Sequence, residues 1–112
     1  IICTAGYMKI LTKDFVEFWH NQIINIHPSL LPDYKGLNTH KRVLNDGVQL
    51  AGCTTHIVES ELDSGQILMQ ATVPVLKDDT EELLAKRVLH MEHIIFPETL
   101  KRIATNQFIF NK

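Results

Sequence analysis

Short continuous apolar runs alternate with helically spaced ones along this chain, and their order outlines an architecture. Ile1 to Ala5 reads as a short buried strand closed by Gly6. Thr12 is placed to cap a helix over Lys13 to Trp19, where Phe15, Val16, Phe18 and Trp19 supply an apolar side for packing. Gln22 to Ile26 is a second buried strand, because Ile23, Ile24 and Ile26 cluster without strict alternation. Strand, helix and strand in succession suggest a βαβ unit and a parallel sheet. His27 to Leu37 holds two prolines and a glycine and reads as a loop.

Thr39 to Asn45 is expected to be helical, with Gly47 ending it. Ala51 to Glu59 alternates as a strand does, with Thr54, His56 and Val58 on one side and Cys53, Thr55 and Ile57 on the other. Ser60 to Gly65 is a loop, and Gln66 to Pro74 returns as strand. Asp79 with Glu82 resembles a capping box before a long helix carrying Leu83, Leu84, Val88, Met91, Ile94 and Ile95 at helical spacing. Pro97 is expected to kink or end that helix, with a further helical stretch from Glu98 to Thr105 and a short apolar tail at Phe108 to Phe110. The expected fold is α/β: an open, mostly parallel sheet with flanking helices, in one domain over residues 1–112.

Composition narrows the functional classes. With 112 residues, 45% hydrophobic and 21% charged, the chain is of ordinary globular type and fits one domain. Its formal net charge is -2 and its Lys and Arg residues are scattered, which argues against electrostatic binding to nucleic acid or an anionic membrane. No apolar run approaches the ~20 residues that cross a bilayer. Cys3 and Cys53 lie in apolar stretches without a CxxC spacing, so both are expected to be buried thiols of a reducing, cytoplasmic setting. The chain opens without Met, directly in a strand, so a segment upstream of Ile1 is expected.

Two segments carry candidate chemistry. In Asn25-Ile26-His27-Pro28-Ser29-Leu30-Leu31-Pro32 a strand runs into a proline-bracketed loop, and period-two geometry puts Asn25 and His27 on one side. Ligands of open α/β sheets bind beyond the carboxyl ends of strands, where these side chains would sit. Glu59-Ser60-Glu61-Leu62-Asp63-Ser64-Gly65 is an acidic loop between two strands, from which an Asp could reach back to His27. An Asn, a His and an Asp at one spot suit acyl transfer to an amine. The amide donates to a developing oxyanion, the protonated imidazole adds charge, and the carboxylate favours that protonated form and takes up the proton of the amine. Read from spacing alone, a structural His beside a proline and a solvated acidic turn explain the same residues.

AGYMKIL (Ala5 to Leu11), NIHPSLLPDYKG (Asn25 to Gly36), GCTTHIV (Gly52 to Val58), ELDSGQILMQ (Glu61 to Gln70) and RVLHMEHIIFP (Arg87 to Pro97) stand in an order and spacing similar to those of the phosphoribosylglycinamide formyltransferases. The likeness covers almost the whole chain. An Asn-x-His with a downstream Leu-Asp-x-Gly is shared across tetrahydrofolate formyltransferases and deformylases, and His-Pro-Ser-Leu-Leu-Pro points to the glycinamide enzymes. The resemblance implies a Rossmann-like formyltransferase domain of which this is the C-terminal half, starting at the fourth strand. The earlier strands and a glycine-rich phosphate loop would lie outside the chain.

It further implies that Asn25, His27 and Asp63 are the catalytic set, with His27 as general acid, Asn25 as its oxyanion partner and Asp63 favouring protonated His27. The formyl-folate pocket would use Met8, Lys9, Ile10 and Leu11 together with Asn25 and the loop of Glu59, Ser60, Glu61, Leu62 and Asp63. Glu92 matches a carboxylate that contacts the glycinamide substrate. Asn38 stands where many members have His, and His40 keeps the second His of that stretch. The family also has a His at the position of His56, for which an orienting role is favoured over a direct one. The implied activity is transfer of the formyl group of 10-formyltetrahydrofolate, a cosubstrate, to glycinamide ribonucleotide, with no metal. Formyltetrahydrofolate deformylase and a non-catalytic folate-binding fragment are the alternatives, and a tRNA formyltransferase lacks support for want of a basic surface. His20, His90 and His93 form no ligand-like cluster.

Overall fold

A computed structural model of the chain describes residues 1–5 and 11–108. Along them run β1 (Ile2–Ala5), α1 (Lys13–Phe18), β2 (Ile23–His27), α2 (Thr39–Asp46), β3 (Leu50–Ile57), β4 (Ile67–Pro74) and α3 (Glu81–Ala104). The strands lie in the sheet in their sequence order, β1-β2-β3-β4. The helical crossover through α1 makes β2 parallel to β1, as the βαβ pattern predicts. The later ladders, β2 with β3 and β3 with β4, are antiparallel, so within the described residues the parallel pairing is confined to β1 and β2. The whole is an α/β fold with a mixed sheet.

Alternation along the strands sorts the side chains onto two faces. On one, Ile26, Ala51, Cys53 and Val73 pack with Val43 of α2 and with Leu84, Val88 and Ile95 of α3. Thr55 and Thr99 are both fully buried in this layer, and their hydroxyls bond each other at 2.8 Å. Thr99 passes its proton to the Ile95 carbonyl and Thr55 accepts the Met69 N–H, so neither buried hydroxyl lacks a partner. On the opposite face Thr54 is equally buried and anchors the loop after β2. Its hydroxyl donates to the Ser29 carbonyl at 2.7 Å and accepts the Leu31 N–H at 3.1 Å. Gln70 adds bonds from its amide to the Leu31 carbonyl and to Thr54. The Leu31-Pro32 peptide in this loop is cis.

The helix ends show where local signals prevail and where they yield. Thr12 caps α1 by accepting the Phe15 N–H, and Gly47 ends α2 in the left-handed region at φ 66°. The capping box expected at Asp79 is absent. Thr80 is the N-cap of α3, accepting the Leu83 N–H, because the Asp79 carboxylate is held in a two-pronged pair with Arg87 at 2.7 and 2.9 Å. Nor does Pro97 end the helix, which runs unbroken to Ala104. Proline deprives the carbonyl four residues back, that of His93, of its donor. Both residues are exposed, so that carbonyl lies on a solvated side while Leu84, Val88, Ile95 and Thr99 hold the other side on the sheet.

Burial falls short of expectation at β1, none of whose residues is buried, and along α1. Cys3 is exposed rather than buried, and α1 buries only Val16, with Phe18 77% exposed and stacked edge-on against Trp19. Among the described residues β1 is an edge strand, paired only with β2. Cys53 sits in the core as expected, and burial pushes its thiol up to about 12. Among the described residues no helix is long and apolar enough to cross a membrane.

The Asp79–Arg87 pair generates a pH prediction. Arg87, and then the Leu76 N–H, holds the Asp79 carboxyl down at about 2 from an ordinary 3.8. A depressed carboxyl stabilises the folded chain above 3.8, and that contribution disappears as pH falls toward about 2. Asp79→Asn in the full-length protein should therefore flatten the acid limb of a stability–pH profile across this window while lowering stability at neutral pH. Superimposable acid limbs for variant and parent would show that the pair contributes nothing.

Candidate functional site at the carboxyl end of β2

Asn25 and His27 leave the same face of β2, and the antiparallel register sets Asn25 opposite His56 and His27 opposite Thr54. The loop after β3 then delivers Asp63. Gly65 permits this by lying so close to β3 that a Cβ there would overlap the Ile57 carbonyl. Asp63 itself adopts the left-handed conformation, φ 50°, which turns its carboxylate back over the sheet. One oxygen accepts the Gly36 N–H at 2.8 Å and lies 3.5 Å from His27 Nδ1, and the other lies 3.9 Å from His56 Nε2. The loops after β2 and β3 are thus tied together across His27.

Polarity inside the cluster follows from acceptors that cannot donate. The Ile57 carbonyl lies 3.0 Å from His56 Nδ1, so that nitrogen carries the hydrogen. Burial, opposed by this bond and by the Asp63 charge, lowers the His56 pKa and favours the neutral ring. His56 Nε2 is then a lone pair and accepts from Asn25 Nδ2 at 3.3 Å. His27 Nε2 donates to the Tyr34 carbonyl at 2.8 Å, which directs Nδ1 toward Asp63. The His27 and Asp63 side chains are each only 7% exposed, and that of His56 only 2%. Water therefore screens this cluster little.

Two clefts meet at these residues. The larger, about 570 Å³, is lined by Asn25, His27, Asp63, His40, Leu89 and Glu92. Burial raises the Glu92 pKa, with His93 opposing, and burial lowers that of His40. His40 Nδ1 is buried without a hydrogen-bond partner among the described residues. A narrower cleft runs the other way, between Thr4, Leu11 and His56 and the Glu59, Ser60, Glu61 and Leu62 loop. Asn25, Leu62 and Asp63 line both. Chemically, an amide N–H beside an imidazole and a carboxylate can hold an oxyanion and accept a proton at the junction of two binding spaces.

The structure thus gathers Asn25, His27 and Asp63 in one place, with Leu11 and the Glu59–Leu62 loop on one side and Glu92 on the other. Met8, Lys9 and Ile10 lie outside the described residues. Asn38 lines the larger cleft, in the left-handed conformation at the start of α2. Sequence reasoning did not single out the Thr4 hydroxyl, 2.9 Å from Asn25 Oδ1, nor the Gly36 N–H on Asp63. The first would require knowing that β1 pairs Thr4 with Asn25, and backbone groups such as the second leave no side-chain signal. Among the described residues no three His, Cys, Asp or Glu side chains converge as a metal-binding group.

An α/β sheet thus holds an amide, two imidazoles and a carboxylate together at a strand end. The chain belongs to the formyl transferase family, whose pattern matches residues 1–100. It is 50% identical over 105 residues to the trifunctional purine biosynthetic protein adenosine-3 of Bos taurus, covering 94% of this chain and 10% of that protein. It is 43% identical over 97 residues to phosphoribosylglycinamide formyltransferase of Escherichia coli (strain K12), covering 87% and 46%. The crystal structure of phosphoribosylglycinamide formyltransferase from Anaplasma phagocytophilum superposes with a TM-score of 0.92 at 54% identity, covering 95% of this chain and 52% of that one. The chain therefore spans about half the length of its single-function relatives.

Gly65→Ala in the full-length protein should displace the loop after β3, at a stability loss of about 1–3 kcal/mol for overpacking against backbone. Denaturant unfolding measures it. An unchanged midpoint and slope would mean that the close approach to Ile57 does not hold the loop.

Proposed function

We propose that this chain supplies the catalytic half of a phosphoribosylglycinamide formyltransferase of purine biosynthesis. It would transfer the formyl group of 10-formyltetrahydrofolate to the amino group of glycinamide ribonucleotide. The observation that carries this reading is the meeting of the two clefts at Asn25, His27 and Asp63. Formyl-folate is assigned to the narrower cleft, with its pterin against Leu11, the Glu59–Asp63 loop and the Met8–Ile10 segment. The amine substrate is assigned to the larger, where the Glu92 carboxylate would hold its amino group. Residues 1–112 are read as the C-terminal half of the catalytic domain, the remaining half supplying the phosphate site, in a cytoplasmic enzyme that uses no metal.

In this mechanism the amine nitrogen attacks the formyl carbon and a tetrahedral intermediate forms. Its oxyanion would accept hydrogen bonds from Asn25 Nδ2 and from an N–H at His27 Nδ1, the ring nitrogen that the Tyr34 carbonyl does not engage. Asp63, directly or through water, takes the proton lost by the attacking amine. The bond from the formyl carbon to folate N10 then breaks as His27, the general acid, gives N10 a proton. The proton held by Asp63 restores His27, and tetrahydrofolate leaves together with the formylated amide product. Low exposure favours these steps, because fixed dipoles in a water-poor site need little reorganisation as charge develops.

His27→Ala in the full-length enzyme should lower formyl transfer by about 10²–10⁴-fold, the usual span for general acid–base groups. A loss under about tenfold would remove His27 from the chemistry. Glu92→Gln should raise KM for the amine substrate more than it lowers kcat, and an unchanged KM would remove Glu92 from substrate binding. Release of formate by the parent enzyme with no amine present, at a rate matching transfer, would replace this reading with hydrolysis of the formyl donor.

A further inference from the structure

We propose that Thr4 is a positioning residue that anchors the Asn25 carboxamide in its donor-inward orientation, as the last link of a hydrogen-bond chain whose direction is set at Ile57. The inference rests on the reading that the Asn25 N–H holds the oxyanion of formyl transfer. A carboxamide has two ends of nearly equal shape, one donating and one accepting. Turned the wrong way, or swinging between the two, it would present an oxygen lone pair to developing negative charge. Something must therefore hold it, and β2 alone does not.

The chain of bonds does so from both ends. The Ile57 carbonyl accepts only, so His56 Nδ1 donates to it at 3.0 Å. The neutral His56 ring then offers only a lone pair at Nε2, and the Asn25 group 3.3 Å away must be the N–H end. That leaves Asn25 Oδ1 on the opposite side, where the Thr4 hydroxyl donates to it at 2.9 Å. His56 selects the orientation, and Thr4 makes it rigid by holding the oxygen. The second Asn25 N–H remains for the cleft junction. Sheet register explains why the three fall in line: Thr4 stands opposite Asn25 in the parallel ladder, and His56 stands opposite it in the antiparallel one. The competing acceptor for the Thr4 hydroxyl, the Ile24 carbonyl, is farther away at 3.4 Å. Thr4 also forms part of the wall of the narrower cleft, the space assigned to the formyl donor.

Thr4→Val keeps the β-branched shape and removes only the hydroxyl, and Thr4→Ser keeps the hydroxyl and removes a methyl. In the full-length enzyme, Thr4→Val should lower kcat by about tenfold, the value of roughly one hydrogen bond realised in the transition state, with KM for the amine within about twofold. Thr4→Ser should recover most of the parent kcat. Nitrogen-15 NMR of the unliganded parent enzyme should show His56 protonated at Nδ1 and not at Nε2. In Thr4→Val the two Asn25 amide protons should exchange environments faster than in the parent. A Thr4→Val enzyme with parental kcat and parental Asn25 amide signals overturns the inference, as does a His56 ring protonated at Nε2. A Thr4→Ser enzyme as impaired as Thr4→Val does the same. If the parent enzyme transfers no formyl group, the functional reading fails instead, and the two NMR signatures still decide whether the anchor exists.

Discussion

The antiparallel pairing of β2 with β3 is the constraint from which the site follows. It sets His27 opposite Thr54 and Asn25 opposite His56, and alternation leaves Ile24 and Ile26 to the other face, where Ile26 packs with residues of α3. Because side chains alternate with a period of two, a one-residue slip of β2 would drive two isoleucines toward the polar cluster and an imidazole into the apolar layer. Burial on both faces of β3 makes such a slip costly: Cys53, Thr54, Thr55 and His56 are all almost fully enclosed. Core packing and site geometry are therefore the same structural decision. The loop anchored through Thr54 and the loop carrying Asp63 build on that ladder, and the Gly36–Asp63 bond joins them above it.

Enclosure also determines how the polar groups behave. An unpaired donor or acceptor in such surroundings is costly, and His27, His56 and Asp63 each have a backbone partner of fixed polarity. The carbonyls of Ile57 and Tyr34 each accept from one imidazole, and those bonds settle which nitrogen of His56 and of His27 faces the other side chains. Backbone atoms thus govern the protonation pattern of side chains that take part in the proposed chemistry. His40 is the contrast, with a buried nitrogen in the larger cleft that no described residue engages. Glu92 lines that cleft together with His27 and His40, and an amine is assigned to it because this half-buried carboxylate on α3 stands in the same space as the imidazoles.

Most of the secondary structure was legible because its causes are local. Thr12 and Gly47 mark helix ends by bonds and dihedrals confined to a few residues, and the apolar runs of β1 and β2 need only their own composition to read as strands, although β2 alone of the two is buried. Where the reading failed, a distant group intervened. Arg87 draws the Asp79 carboxylate away from the cap that its sequence position suggests, and contacts with the sheet on either side of Pro97 carry α3 through it. The exposure of Cys3 and Phe18 depends on which surfaces neighbouring elements cover, which no pattern within those residues encodes.

The site divides in the same way. By itself the sequence determined that Asn25 and His27 share a face at a strand end and that an acidic loop follows a second strand, since both statements rest on the two-residue repeat and on turn chemistry. Only the tertiary structure decided that Asp63 among several carboxylates reaches His27, that Thr4 and His56 flank Asn25, and that Glu92 faces the same cleft from a helix far along the chain. The reason is physical: these pairings are set by strand register, by a left-handed turn at Asp63 and by helix packing, and each depends on groups widely separated in sequence whose mutual placement exists only once the core has closed.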